Sequence, residues 1–171
     1  YVNNEVTVYI DFLGMSGVLT IYSSSKGEAS SFNTSGHSWI SYTDDATGIT
    51  TTYGTWGPVP TTNGQTGLFI NLEKDRNDAS ATRSTHLNDT QEANLMAKIK
   101  EYQDEGSDAW SYTNPCSDFA VDAWEAGSGE DLGSWWIWDT PSDLTESIKK
   151  ANGGNAHGTY TPEESSSSMP E

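Results

Sequence analysis

The chain has 171 residues and carries 25 acidic against 8 basic side chains, a formal charge of −17 with the histidines neutral. That balance excludes a nucleic-acid partner, whose phosphates would be repelled, and simple electrostatic docking on anionic lipid. The length suits one domain with one core; only 33% of the residues are hydrophobic, but 7 Trp, 8 Tyr and 4 Phe bury much area apiece.

In chain order, the first half reads as strands. Val6, Val8, Ile10 and Phe12 alternate with polar residues, and Val18, Leu19 and Ile21 follow a glycine-bearing turn. Ser23 to Gly36 is a polar connection. Trp39 to Tyr42 resumes a strand, and a turn at Asp44–Gly48 leads into Ile49 to Tyr53 as a hairpin partner. Gly54 to Gly64 has loop composition, Gly67 to Leu72 gives a further strand, and residues 73–84 read as an exposed polar excursion. The second half reads as helices. Asn88 or Asp89 caps a helix to about Glu105 with Leu95, Met96, Ile99 and Tyr102 inward, and Gly106 ends it. A second helix runs from Pro115, after Asn114 as N-cap, to about Ala126, with Gly127 as its stop. Thr140-Pro141-Ser142-Asp143 starts a third, which closes at Asn152-Gly153-Gly154. Strands then helices in separate blocks predict an α+β domain over 1–152, with 153–171, including Ser165 to Ser168, as a loosely ordered tail.

The only cysteine, Cys116, falls at a helix start, where backbone N–H groups and the positive end of the macrodipole favour thiolate over thiol. A packed, inert thiol is the alternative. One cysteine permits no internal disulfide, and neither a bilayer-spanning apolar stretch nor a signal peptide is visible. A cysteine nucleophile needs a base. His86, just before a helix, reads as solvated or capping, and His157 falls in the polar tail. His37 remains, on a strand that puts His37, Trp39 and Ser41 on one face. Trp39, Tyr53, Trp56, Trp110 and Tyr112 flank these segments and suit either a substrate cleft or core and rim packing. Of the run Trp135-Trp136-Ile137-Trp138, at least one ring lines a surface or cleft, unless the run caps the core beneath the third helix. No His-x-x-x-His or EF-hand spacing supports a metal site, and no cofactor motif is present.

Gly36-His37-Ser38-Trp39-Ile40, Tyr53-Gly54-Thr55-Trp56-Gly57-Pro58 and Asn114-Pro115-Cys116-Ser117-Asp118-Phe119-Ala120 together resemble the circularly permuted NlpC-like hydrolases of the papain fold. The order of histidine strand before cysteine helix is shared with the lecithin:retinol acyltransferase group. Its Asn-Cys-x-x-Phe motif is similar to Asn114, Cys116 and Phe119, with Pro115 inserted. The resemblance covers roughly residues 30 to 150. It implies a papain-like antiparallel sheet packed on about three helices, with Cys116 as nucleophile and His37 as general base. From its place at a helix N-terminus the Cys116 backbone N–H suits an oxyanion donor, and from their positions beside the two motifs Trp39, Tyr53, Trp56 and Tyr112 are the candidate substrate contacts. Many papain-fold enzymes orient the histidine with a polar residue on the next strand. Here Ile49 to Tyr53 offers neither a histidine nor an acid or amide, which leaves Thr51 as a weak hydrogen-bond partner, unless Asp11 or Ser41 takes that place or the pair works as a dyad. The implied activity is cleavage of amide bonds in peptidoglycan peptide by a secreted or injected antibacterial effector acting in the periplasm, countered in its producer by a cognate immunity protein. Acyl transfer or deamidation on a protein or lipid shares the nucleophile, and a non-enzymatic binding module is the remaining alternative.

Overall fold

The computed structural model describes residues 15–25, 36–113, 115–133 and 140–162. The expected strand at Val6 to Phe12, Asp11, Asn114, the Trp135 to Trp138 run and Ser165 to Ser168 lie outside the described residues. Six strands and three helices are arranged as an α+β fold: β1 (Met15–Ser24), β2 (His37–Asp44), β3 (Thr50–Trp56), β4 (Gly67–Ile70), β5 (Ala81–Asn88), α1 (Asp89–Glu105), α2 (Cys116–Ser128), α3 (Pro141–Ala151) and β6 (His157–Thr159). They form one sheet in the order β4-β3-β2-β1-β5-β6.

The sheet is mixed rather than antiparallel throughout, because β6 pairs in parallel with β5. The chain after residue 152 thus contributes a sheet-edge strand where a loose tail was expected. Likewise residues 81–84 of the expected polar excursion form the first half of β5. The strand's alternation buries Ala81, Arg83, Thr85 and Leu87 and turns the residues between them outward. That pattern carries too few apolar side chains to stand out in the sequence.

Leu19 and Ile21 of β1, Ile40 and Tyr42 of β2 and Leu87 of β5 meet Leu95 and Ile99 of α1, Phe119 and Trp124 of α2 and Leu144 and Ile148 of α3 in one core. The outer helices start where local chemistry says they should. Asn88 and Gln91 exchange reciprocal cap hydrogen bonds at 3.0 Å, and Thr140 and Asp143 form the same box before Pro141. Gly127 does not stop α2. It lies inside the helix, where a Cβ would sit 2.8 Å from Leu19 Cδ2, and Gly129 at φ +76° supplies the left-handed cap instead. Glycine is needed at 127 for close helix–sheet approach.

Two features of the sheet position the site. First, β2 is buried along its first six residues, because α2 and α3 pack against the strand while Arg76, from the 71–80 connection, packs over Trp39. Second, the β2–β3 ladder runs only from Thr43↔Thr50 to Ile40↔Tyr53. Both strands continue beyond it, β2 paired with β1 out to His37 and β3 paired with β4 out to Trp56. The sheet has a seam there.

Candidate active site

The tip of α2 meets the sheet at this seam. Cys116 is the first residue of α2, with Pro115 as an extended N-cap rather than the first helical residue. Pro115 makes no side-chain cap bond and its carbonyl accepts from the Asp118 N–H at 3.1 Å, leaving the sulfur at the positive end of the helix. The backbone amides of Ser38, two residues past the last β2–β3 pair, and of Cys116 itself add to the forces that favour the thiolate.

His37 opens β2 and is 2% exposed, and Cys116 is 7% exposed; the imidazole and the thiol are near enough that each shifts the other's titration. The other side of the ring is held by Glu73, 1% exposed, whose Oε1 accepts from His37 Nε2 at 3.1 Å. A carboxylate there fixes the proton on Nε2 and leaves Nδ1 for the sulfur. Glu73 is itself held: Thr52 Oγ1 donates to Oε2 at 3.2 Å, and Trp56 Nε1 donates to Oε1. The Trp56 ring lies 3.9 Å from the imidazole centroid, closing the pocket around it. Gly54 makes room for the arrangement, since any Cβ at that position would intrude on Glu73 Oε1.

The charges of this line reinforce one another. Burial alone would raise the Cys116 thiol, but the His37 charge and hydrogen bond, together with the Ser38 and Cys116 amides, outweigh it and hold the thiol below its ordinary range. Burial alone would lower His37; the charge and hydrogen bond of Cys116, then the hydrogen bond and charge of Glu73, hold the imidazole above its ordinary value. Glu73 is opposed by burial too, and the hydrogen bond and charge of His37 with the Trp56 donor keep it below the usual carboxylate range. The site favours a thiolate–imidazolium pair backed by a carboxylate.

The other residues singled out from the sequence fall differently. Thr51 does not orient the histidine. It sits opposite Tyr42, whereas the neighbouring Thr52, one step along the strand, shares the histidine's face and reaches Glu73. Ser41 is engaged by the Tyr22 hydroxyl at 3.1 Å. Trp39 is buried, stacked on Tyr22 with centroids 5.1 Å apart and covered by the Arg76 guanidinium; Trp56 is buried against His37. Both support the ring and do not wall an open cleft. Tyr53 packs against the helical core. Only Tyr112, 88% exposed and edge-on to Trp110, stands free for a substrate, on the segment leading into Cys116. His86 is exposed on β5 with Asp45 3.8 Å away, and His157 Nδ1 lies 2.9 Å from Thr82 Oγ1 in the β5–β6 pair; neither approaches the site's partners.

Among the described residues no group of three or more His, Cys, Asp or Glu side chains is placed to hold a metal, and no helix is long and apolar enough to cross a membrane. No family model, curated protein or solved structure matches the chain. Glu73 is the functional residue that sequence reasoning missed. Its only traces were a glycine amid the β3 residues and a carboxylate in a segment without apolar pattern.

Proposed function

We propose that this chain is a papain-like thiol hydrolase of the permuted NlpC-like kind, cleaving amide bonds with Cys116 as nucleophile, His37 as acid and base, and Glu73 as the orienting group. The observation that carries the proposal is the buried line from the helix-tip sulfur through His37 to Glu73. The thiolate attacks the carbonyl carbon, and in this reading the Cys116 N–H at the helix start donates to the oxygen as it gains charge. As the C–N bond breaks, the imidazolium gives its proton to the departing amine, leaving a thioester. Water then attacks the thioester while His37 takes its proton; the C–S bond breaks, the acid product leaves and the pair is restored. Glu73 keeps the ring in register and stabilises its charge throughout.

Peptidoglycan peptide is the substrate suggested by the resemblance, and exposed Tyr112, on the segment leading into α2, offers a flat surface for a sugar ring or peptide backbone. The same resemblance supports delivery to a bacterial periplasm and a cognate immunity protein in the producing cell. Purified sacculi incubated with the wild type, Cys116→Ala and His37→Ala test the proposal. Muropeptides should be released by the wild type alone; equal release by all three overturns the assigned pair. A stable acyl adduct on Cys116 with a lipid or glutamine substrate, and no muropeptide, would replace hydrolysis by acyl transfer or deamidation. Alkylation of Cys116 by iodoacetamide only near the free-thiol range would favour a binding module.

A further inference from the structure

Glu73 reaches His37 from a connection, not from a strand, so something must hold that connection in place. Asn71 begins it, in a left-handed conformation at φ +62°, with its N–H donating to the Thr52 carbonyl and its Oδ1 accepting from the Thr52 N–H. Ser80 ends it, with its N–H donating to the Ser23 carbonyl. Between these ends the fastening is Arg76. Its Nε and Nη2 donate to the two carboxylate oxygens of Asp78 at 2.9 and 2.6 Å, and the Asp78 carbonyl accepts in turn from Ser24 Oγ on β1. The same guanidinium lies 4.8 Å from the Trp39 ring and 5.8 Å from the Trp56 ring. These two rings flank His37, and Trp56 also grips Glu73.

We propose that Arg76 is a positioning residue: by bridging Asp78 to the Trp39 and Trp56 rings it clamps the 71–80 connection down so that Glu73 stays on His37. The alternative, an arginine that merely packs on the surface, predicts a loss of stability but no change at the sulfur. The clamp predicts a change in the nucleophile itself, although Arg76 touches neither Cys116 nor substrate. The inference rests on the thiol-hydrolase reading of the site.

The test is the pH profile of Cys116 alkylation by iodoacetamide in the full chain, for wild type, Arg76→Ala, Arg76→Lys, Glu73→Gln and the Arg76→Ala/Glu73→Gln double variant. At a pH below the thiol's own pKa, each unit by which the thiol rises lowers the thiolate fraction, and hence the labelling rate there, about tenfold. Arg76→Ala should move the profile up in the same direction as Glu73→Gln, and the double variant should match Glu73→Gln alone, since both remove one interaction. Arg76→Lys keeps a cation over the rings but loses the two-pronged grip on Asp78, and should fall between wild type and Arg76→Ala. If Arg76→Ala does not fold, Arg76→Lys alone decides: a profile shifted toward that of Glu73→Gln supports the clamp, and one identical to wild type overturns it. A wild-type profile in a folded Arg76→Ala, or fully additive shifts in the double variant, likewise overturns it. An ordinary thiol profile in the wild type would overturn the hydrolase reading first, and this inference with it, so the two failures are distinguishable.

Discussion

Replacing Gly54 by alanine isolates the contribution of Glu73 with one methyl group. Gly54 lies within β3 and its backbone is not in the left-handed region, so alanine fits the local conformation. The new Cβ would lie 3.0 Å from Glu73 Cδ and 3.2 Å from His37 Nε2, and closer still to Glu73 Oε1. Restoring ordinary van der Waals separation requires that oxygen to retreat by about 1 Å. The His37–Glu73 hydrogen bond, now 3.1 Å, would open to about 4 Å and be lost. Overpacking of this kind costs about 1–3 kcal/mol, against a gain of about 0.4–1 kcal/mol from the stiffer unfolded chain, so the fold should survive with a lower melting temperature. A misplacement of that size should slow amide hydrolysis about 100-fold. Muropeptide release and the pH profile of Cys116 alkylation read the effect. Gly57→Ala is the matched control, because its Cβ meets the Trp110 ring at 2.5 Å instead, and should cost stability without moving the profile. A folded Gly54→Ala variant with the wild-type rate and profile would refute the claim that Glu73 governs the histidine.

The remaining expectations concern pH and the supports of the fold. Hydrolysis should be bell-shaped, rising as Cys116 ionises below its ordinary 9.0 and falling as His37 loses its proton above its ordinary 6.5, and Glu73→Gln should narrow the bell from both sides. Stability follows the same signs. The contribution of Glu73 is present above 4.5 and lost as pH falls through its lower folded value, and that of His37 is complete below 6.5 and lost as pH rises through its higher folded value. Melting temperature against pH for wild type and Glu73→Gln checks the acid limb, which should be shallower in the variant. Gly127→Ala should destabilise by about 1–2 kcal/mol in urea despite better helix propensity, because its Cβ is driven against Leu19 and Leu95; a more stable variant would contradict the packing argument. Arg83→Met leaves Glu130 without its paired guanidinium, now bound at 2.7 and 2.8 Å, and should cost about 3–5 kcal/mol. Because Arg83 also donates to the Asn152 side chain and the Thr159 carbonyl, hydrogen exchange over 157–159 should accelerate in the same variant.

What could be read from the chain was what local chemistry decides. The boxes at Asn88–Gln91 and Thr140–Asp143 need only residues three apart, and the starts of α1 and α3 followed from them. That His37 and Cys116 come together was an expectation that rested on elimination among three histidines plus the resemblance, and both positions follow from a strand and a helix start. Glu73 was not legible, because its role depends on a missing Cβ at Gly54, an indole from Trp56 and a hydroxyl from Thr52, joined only once β3 and the connection are folded. The choice of Thr51 named the right strand and the wrong face, a one-residue error that a period of two turns into the opposite side of the sheet. Aromatic composition could not separate wall from support. Trp39, Trp56 and Tyr112 look alike in sequence, yet the first two are sealed behind the imidazole and the third is in solvent. Gly127 and Gly129 show the same limit: either can end a helix, and only packing against Leu19 shows that the first cannot carry a side chain.

The seam between β2 and β3 divides ownership of the chemistry. His37 travels with β1, whereas Trp56 travels with β4, whose far end continues into the residues bearing Glu73. No β2–β3 ladder rung joins the two parts past Ile40 and Tyr53, so imidazole and carboxylate meet through side chains, with the Ser80–Ser23 backbone bond tying the connection to β1 only at its far end. Widening the gap would part them while leaving the neighbouring ladders intact, separating His37 from Glu73 without unfolding the sheet.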